Sequence, residues 1–376
     1  MPAIPVSSFR ERLPDLLGSL RYLVEMESPT TDKELVDILG AWVASRVEGL
    51  GLSVERIPQP KAGDHWLASW GSGPAGILLL HHLDTVYPAG TVASRPWAEH
   101  GGRVLGPGVL DMKGGIAVTL GALAALQREG RRPARPLRCL FTSDEETGSR
   151  TSRPLVEDQA RRHDLVLCLE PAMPDGALKT SRKGTGVFHV ETFGRAAHAG
   201  NNPESGINAI VEMAHQLAQI QALAWPASGT TVNVGVIEGG TRTNVIPERC
   251  RVRVDVRVVE ADEQARLEAG FAALRPVLEG ARIETRGAWN RPVMARSASI
   301  ASAFENARRI AAGLGLPLTE DTAGGGSDAN FVAALGIPVL DGLGPTGDGA
   351  HSVEEYVEIR SLPERAALLA ALLTES

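Results

Sequence analysis

Cysteine is scarce in this chain: Cys139, Cys168 and Cys250 are the 3 present among 376 residues. They are odd in number, widely spaced and set in the apolar runs "LRCLF", "LVLCLE" and "ERCRVRV". That pattern argues against a disulfide framework or a zinc knuckle and reads as buried free thiols. Positive charge is also in deficit, with Lys+Arg 38 against Asp+Glu 45 and a net charge of -7. The arginines are spread out and form no basic block, so nucleic acid is not an expected partner and a small-molecule substrate is the better default. No apolar run approaches the about 20 residues of a bilayer-spanning helix. The opening "MPAIPVSSFRERLPDLL" lacks the basic start and unbroken apolar stretch of a secretory signal. The expectation is a cytoplasmic protein with no membrane partner. Internal repeats and low-complexity segments are missing as well. So is a G-x-G-x-x-G turn after the first strand candidate, which sets aside a nucleotide-binding oxidoreductase.

What is present is a composition of 43% hydrophobic and 22% charged residues, sufficient for two packed domains. Helix-like runs ("PDLLGSLRYLVEME", "KELVDILGAWVASRVEGLG") alternate with strand-like ones ("LSVERIP", "HWLASW", "GILLLHHLD", "PLRCLFTS", "LVLCLE"). Such alternation predicts an α/β fold with a doubly wound, mostly parallel sheet. From about Lys183 the order becomes strand, helix, strand, strand, helix, strand, that of a ferredoxin-like α+β unit. The predicted division is residues 1–182 and 291–376 as one domain, interrupted by an inserted domain over 183–290.

In an open α/β sheet, functional groups collect beyond the carboxyl ends of the strands. Here "ILLL" ends in His81, His82 and Asp84; "RCLFTS" in Asp144, Glu145 and Glu146; "LVLCL" in Glu170. "IPVLDGLG" leads to a loop with His351, and Asp111 of "GPGVLDMKGG" precedes a helix. Taken singly, each is ordinary: a polar histidine after a strand, a solvated acid pair, a turn residue, a helix cap. Their repetition at the same end of successive strands is not. Carboxylates brought together repel unless a cation neutralises them. Mixed imidazole and carboxylate ligands suit zinc or a similar transition ion better than calcium or magnesium.

With "HLDTV", "GPGVLDMKGG", "DEETGS", "LEP", "AAHAG", "TNVIP", "GGGSDAN" and "GAHSVEEYV" in order along nearly the whole chain, the sequence resembles the dinuclear zinc metallopeptidases. That family includes bacterial glutamate carboxypeptidase, acetylornithine deacetylase and succinyl-diaminopimelate desuccinylase, and the glutamate carboxypeptidase branch is the nearest match. The resemblance implies two Zn2+ per subunit, with Co2+ or Mn2+ as substitutes. His82, Asp111 and Glu170 would hold one ion, and Asp111, Glu146 and His351 the other, with Asp111 bridging and a hydroxide cancelling the remaining charge. Asp84 would orient the His82 ring, Glu145 would be the general base, and the Asp111–Met112 peptide would be cis. His81 receives no chemistry.

The resemblance further implies a homodimer joined through the inserted domain, in which His198, with Asn244, stabilises the oxyanion in the partner's site. Gly325, Gly326 and Ser327, in a glycine-rich turn before a helix, are candidates to bind a substrate carboxylate through main-chain N–H groups. Arg291 matches the family's Arg-Pro motif and would fork onto the same carboxylate; Lys179 and Arg257 are candidates for an acidic side chain. The expected activity is carboxypeptidase hydrolysis of the amide bond to a C-terminal amino acid, with glutamate as the candidate. N-acyl amino acid deacylation stands as the alternative. A non-catalytic binding protein on this scaffold would lack a ligand or the base, and all six positions are filled.

Overall fold

The computed structural model describes residues 2–73 and 76–375. Two compact units divide the chain: one runs to Ser181 and resumes over Arg296–Ala323 and from Ser327, and the other comprises Arg182–Ala295 with Gly324–Gly326. The return into the first unit therefore lies at 296, not 291. Arg291 ends a strand paired to Thr185, and Met294 and Arg182 exchange main-chain hydrogen bonds at 2.9 and 3.1 Å, which keeps 291–295 with the second unit.

In the first unit six strands lie in the order Ser53–Ile57, His65–Trp70, Leu137–Thr142, Ile77–His82, Leu165–Cys168 and Val339–Leu340. The last four are mutually parallel, whereas His65–Trp70 is antiparallel to both its neighbours. The sheet is thus mostly parallel, with an antiparallel edge that the prediction did not place. The short connection from Ile57 to His65 permits only an antiparallel pair. Ile77–His82 is buried at all six positions, the unalternating pattern of a strand covered on both faces.

The Gly114–Arg128 helix packs on Ser361–Glu375 and Leu13–Glu25 and is apolar nearly all round. Contrary to expectation, helical turns over Val109–Arg128 are apolar and long enough to pass for a membrane span, yet 83% of their 18-residue apolar window is buried inside the protein. Asp111 and Met112 are not helical, and the continuous helix that follows is about 22 Å long at 1.5 Å per residue. The apolar character serves a helix enclosed by others. All three cysteines are buried and free.

The second unit is a four-stranded antiparallel sheet in the order Thr231–Gly239, Arg249–Val258, Gly184–Phe193, Arg282–Arg291, crossed by helices Ala209–Gln221 and Asp262–Ala272. Along Arg249–Val258 burial alternates, with Val252, Val254 and Val256 inward and Arg249 and Arg251 outward. Phe188 stacks on Phe271 within this core, centroids 4.2 Å apart. The Asp262–Ala272 helix stops before "RPVLEG", where Pro276 cannot continue it.

Candidate active site

Three parallel strands of the first unit end together. His82 closes Ile77–His82 opposite Thr142, so Glu145 and Glu146 leave the neighbouring strand at the same end. On the other side, Leu165–Cys168 runs out into Glu170. Asp111 arrives from the turn before the Gly114–Arg128 helix, in extended conformation and followed by a cis peptide to Met112. Gly108 opens that turn at φ 70°, and a Cβ there would stand 2.6 Å from Thr85 Cγ2; glycine lets the turn close on the segment after His82. His351, at φ 64°, comes from the loop between Val339–Leu340 and the final helix.

The five side chains converge, and Asp111 stands between two groups. His82 Nε2 is 3.1 Å from Asp111 Oδ1 and 3.5 Å from Glu170 Oε1. His351 Nε2 is 3.3 Å from Asp111 Oδ2 and 3.1 Å from Glu146 Oε2. Each oxygen of one carboxylate thus faces a different histidine–glutamate pair. His82, Asp111 and Glu146 each offer an atom within 4.8 Å of the others.

Burial and charge pull these groups in opposite directions. Burial works against a charged His82 ring, but Asp111, Asp84 and Glu170 hold its pKa well above the usual value. Burial disfavours the Asp111 anion, yet His351 and His82 hold its carboxyl below the usual range. Glu146 is pushed up to about 7, first by burial and further by the Asp111 charge, against the opposing His351. His351 is raised to about 11 by its bonds to Asp111 and Glu146.

Neighbouring groups hold these side chains in place. His82 Nδ1 donates to the main-chain oxygen of Asp84 at 2.9 Å, while the nearer Asp84 carboxylate oxygen is 3.5 Å away. Asp84 therefore holds the ring chiefly through its carbonyl, with its carboxylate at longer range. Its carboxylate accepts instead from the N–H groups of Glu145 and Glu146, both at 3.2 Å, and from the Thr30 hydroxyl at 2.6 Å. Asp84 thus joins the His82 loop to the Glu145–Glu146 turn. Sequence reasoning passed over Thr30, which lies 54 residues away with no motif around it. His81 points to the other side of its strand, bonded to Thr119 Oγ1 at 2.8 Å and stacked on Phe141; burial lowers its pKa to about 3, as befits a neutral packed ring. Among the remaining candidates of this unit, Lys179 is buried with its N–H on Asp341, and Ser327 donates its hydroxyl to Asp341 Oδ2 at 2.9 Å.

The other candidates belong to the second unit. A two-residue ladder pairs Ala197–His198 with Val245–Ile246, setting His198 beside Asn244, whose carbonyl accepts from Ala199 N–H. His198 Nδ1 accepts from the N–H groups of Gly200 and Asn201, each at 3.1 Å, so the exposed Nε2 carries the proton. Arg257 and Arg291 flank Thr185 in register on either side. Arg257 binds Asp255 and the Gly324 carbonyl, Gly325 accepts from Arg182, and Gly326 lies against the Arg291 stem. Arg257 is thereby engaged in holding the glycine turn.

The profile of peptidase family M20/M25/M40 matches residues 78–375. Carboxypeptidase G2 of Pseudomonas sp. (strain RS-16) is 32% identical, over 96% of this chain and 89% of its own length. The chain belongs to this peptidase family. Succinyl-diaminopimelate desuccinylase of Xanthomonas oryzae is 29% identical over 89% of this chain and 92% of its own. Aminopeptidase PepT of Bacillus cereus shares the fold with a TM-score of 0.77 at 22% identity, covering 96% and 98% of the two chains. The Bacillus subtilis YXEP protein, described as a dinuclear metal binding peptidase from the M20 family, has a TM-score of 0.69 at 16% identity, with 98% of each chain covered. As an M20 member the protein is a metal-dependent hydrolase. Its donor set fits a metal: imidazole and carboxylate donors from five segments converge, and Glu146 Oε1 is buried with no hydrogen-bond partner.

Proposed function

We propose that this M20 hydrolase is a dizinc carboxypeptidase that cleaves the amide bond to a C-terminal amino acid, with glutamate as the candidate residue. The observation carrying the reading is Asp111, whose Oδ1 faces His82 and whose Oδ2 faces His351. His82, Asp111 and Glu170 would hold one ion and Asp111, Glu146 and His351 the other. Two such ions, when bound, polarise the scissile carbonyl and make water acidic enough to attack at neutral pH. Glu145, beside the ligands on a turn fixed by Asp84, takes the proton from the attacking water and delivers it to the departing amine. His198 donates from Nε2 to the carbonyl oxygen as charge develops there, with Asn244 as its neighbour. Arg291, Gly325 and Gly326 receive the α-carboxylate of the substrate, and Lys179 and Arg257 serve an acidic side chain. Ser327, whose N–H and hydroxyl are engaged by Asn330 and Asp341, anchors the turn rather than donating to the substrate.

In this reading the enzyme is a cytoplasmic homodimer, and His198 of one subunit serves the other. Exposed Val211 and Ile237, 43% and 53% accessible on the second unit, support a subunit contact there. The 32% identity to carboxypeptidase G2 favours the peptidase over N-acyl amino acid deacylation, the second reading, which the desuccinylase likeness supports. Metal analysis of the purified protein, with turnover of folate-type and aspartyl or glutamyl peptides against N-acetylornithine and N-succinyl amino acids, tests both. Two transition ions per chain and release of C-terminal glutamate are expected. Activity on the acyl amino acids alone would favour the deacylase, and no metal with no metal-stimulated hydrolysis would sink both.

A further inference from the structure

Four residues beyond His351 in "HSVEE" lies Glu355, fully buried and with no part in the chemistry above. Its Oε1 accepts from the N–H groups of Leu110 at 2.9 Å and Asp111 at 3.0 Å. Its Oε2 accepts from Gly108 N–H at 2.9 Å and the Tyr87 hydroxyl at 2.6 Å. One carboxylate thus gathers three main-chain donors of the turn bearing Asp111, a side chain from the segment after His82, and its own loop, which bears His351. Gly349 lets that loop fold back: a Cβ there would meet the main chain of Glu354 and Glu355 at 2.9–3.0 Å. Tyr87 is steadied in turn by Arg95 over its ring, 5.0 Å from the centroid, with Arg95 Nη2 on the Ser352 carbonyl.

We propose that Glu355 is a positioning residue for the metal centre, locking the Asp111 turn to the His351 loop so that Asp111 presents one oxygen to each histidine. A turn that ends in a bridging ligand needs its direction fixed, and three convergent N–H bonds to a charged acceptor do this more strongly than bonds to a neutral one. An amide cannot substitute: with its oxygen on Leu110 and Asp111, its NH2 would face the N–H of Gly108. The inference rests on the metal reading of the five ligands.

The test is chelator-competition measurement of Zn2+ affinity on metal-stripped wild type, Glu355→Gln and Tyr87→Phe, together with the melting temperature of each stripped protein. Glu355→Gln is expected to bind Zn2+ about tenfold to a hundredfold more weakly, the usual cost of losing a group that orients a ligand. Tyr87→Phe, which leaves the three main-chain bonds in place, is expected to fall between it and wild type. Wild-type affinity in folded Glu355→Gln overturns the proposal, even with a lowered melting temperature, because that outcome marks a purely structural carboxylate. If Glu355→Gln does not fold, unchanged affinity in Tyr87→Phe overturns it. Failure of the metal reading would look different: wild type itself would bind no Zn2+.

Discussion

The histidine–carboxylate cluster of the first unit and the His198–Asn244 pair of the second are built on opposite plans. The cluster draws on positions from 82 to 351, and four of its five side chains are enclosed, with exposures of 2% for His82, 6% for Glu146, 10% for Glu170 and 15% for Asp111, while His351 stands at 52% on the open side. Its groups are also tied from behind, by Asp84, Thr30 and Glu355. The pair stands on one short ladder and is exposed. The difference follows from desolvation. A charged group buried without its partner costs about 3–5 kcal/mol, so enclosed carboxylates require their complement inside the same unit. An exposed imidazole stays hydrated at little cost and needs only its tautomer set.

Substitutions within the cluster should break this contrast most sharply. Glu146→Ala should lose metal and with it nearly all turnover, measured by metal content and hydrolysis. Its neighbour Glu145→Gln should retain both ions and lose about 10²- to 10⁴-fold in kcat, the range for a positioned proton carrier. Equal metal loss in the two variants would mean that the base and ligand roles have been wrongly divided along this turn. His198→Ala should come next, with metal content unchanged and kcat lower by about 10²- to 10³-fold, as for removal of an oxyanion donor. A His198→Ala enzyme with wild-type kcat would reduce the pair to a loop feature.

The contrast also explains what could be read from the sequence. The converging residue types and their place at strand ends were legible, because buried strands announce themselves as unbroken apolar runs such as "ILLL" and the polar residues that follow stand out. The groups holding them in place were not. Thr30 and Glu355 act across 54 and 244 residues through hydrogen bonds that leave no periodic trace in the sequence, and an acid in "HSVEE" reads equally well as a solvated helix entry. Direction along the sheet was partly hidden too: the reversal of His65–Trp70 depends on a short connection, not on composition. The apolar Gly114–Arg128 helix shows the converse, since apolarity alone does not tell a membrane from neighbouring helices.

The smallest expected effect lies behind the cluster, at His65. Its ring is fully buried, with Nε2 3.0 Å from Thr151 Oγ1 and Nδ1 3.1 Å from Ser143 Oγ. Thr151 in turn bonds the Asp144 carboxylate at the start of the Glu145–Glu146 turn. Burial lowers the His65 pKa although Asp144 and Asp84 oppose it, so the folded protein holds the ring neutral at a pH where the unfolded chain protonates it. The unfolded state then binds the extra proton, and stability rises with pH across that interval. This contribution is complete above the ordinary histidine value of about 6.5 and is lost as pH falls toward the depressed folded value. Melting temperatures of wild type and His65→Asn between pH 8 and 5 read it directly: the gap between them should be widest at the alkaline end and narrow toward the acid. A constant gap would mean that His65 contributes packing and hydrogen bonds but no proton linkage.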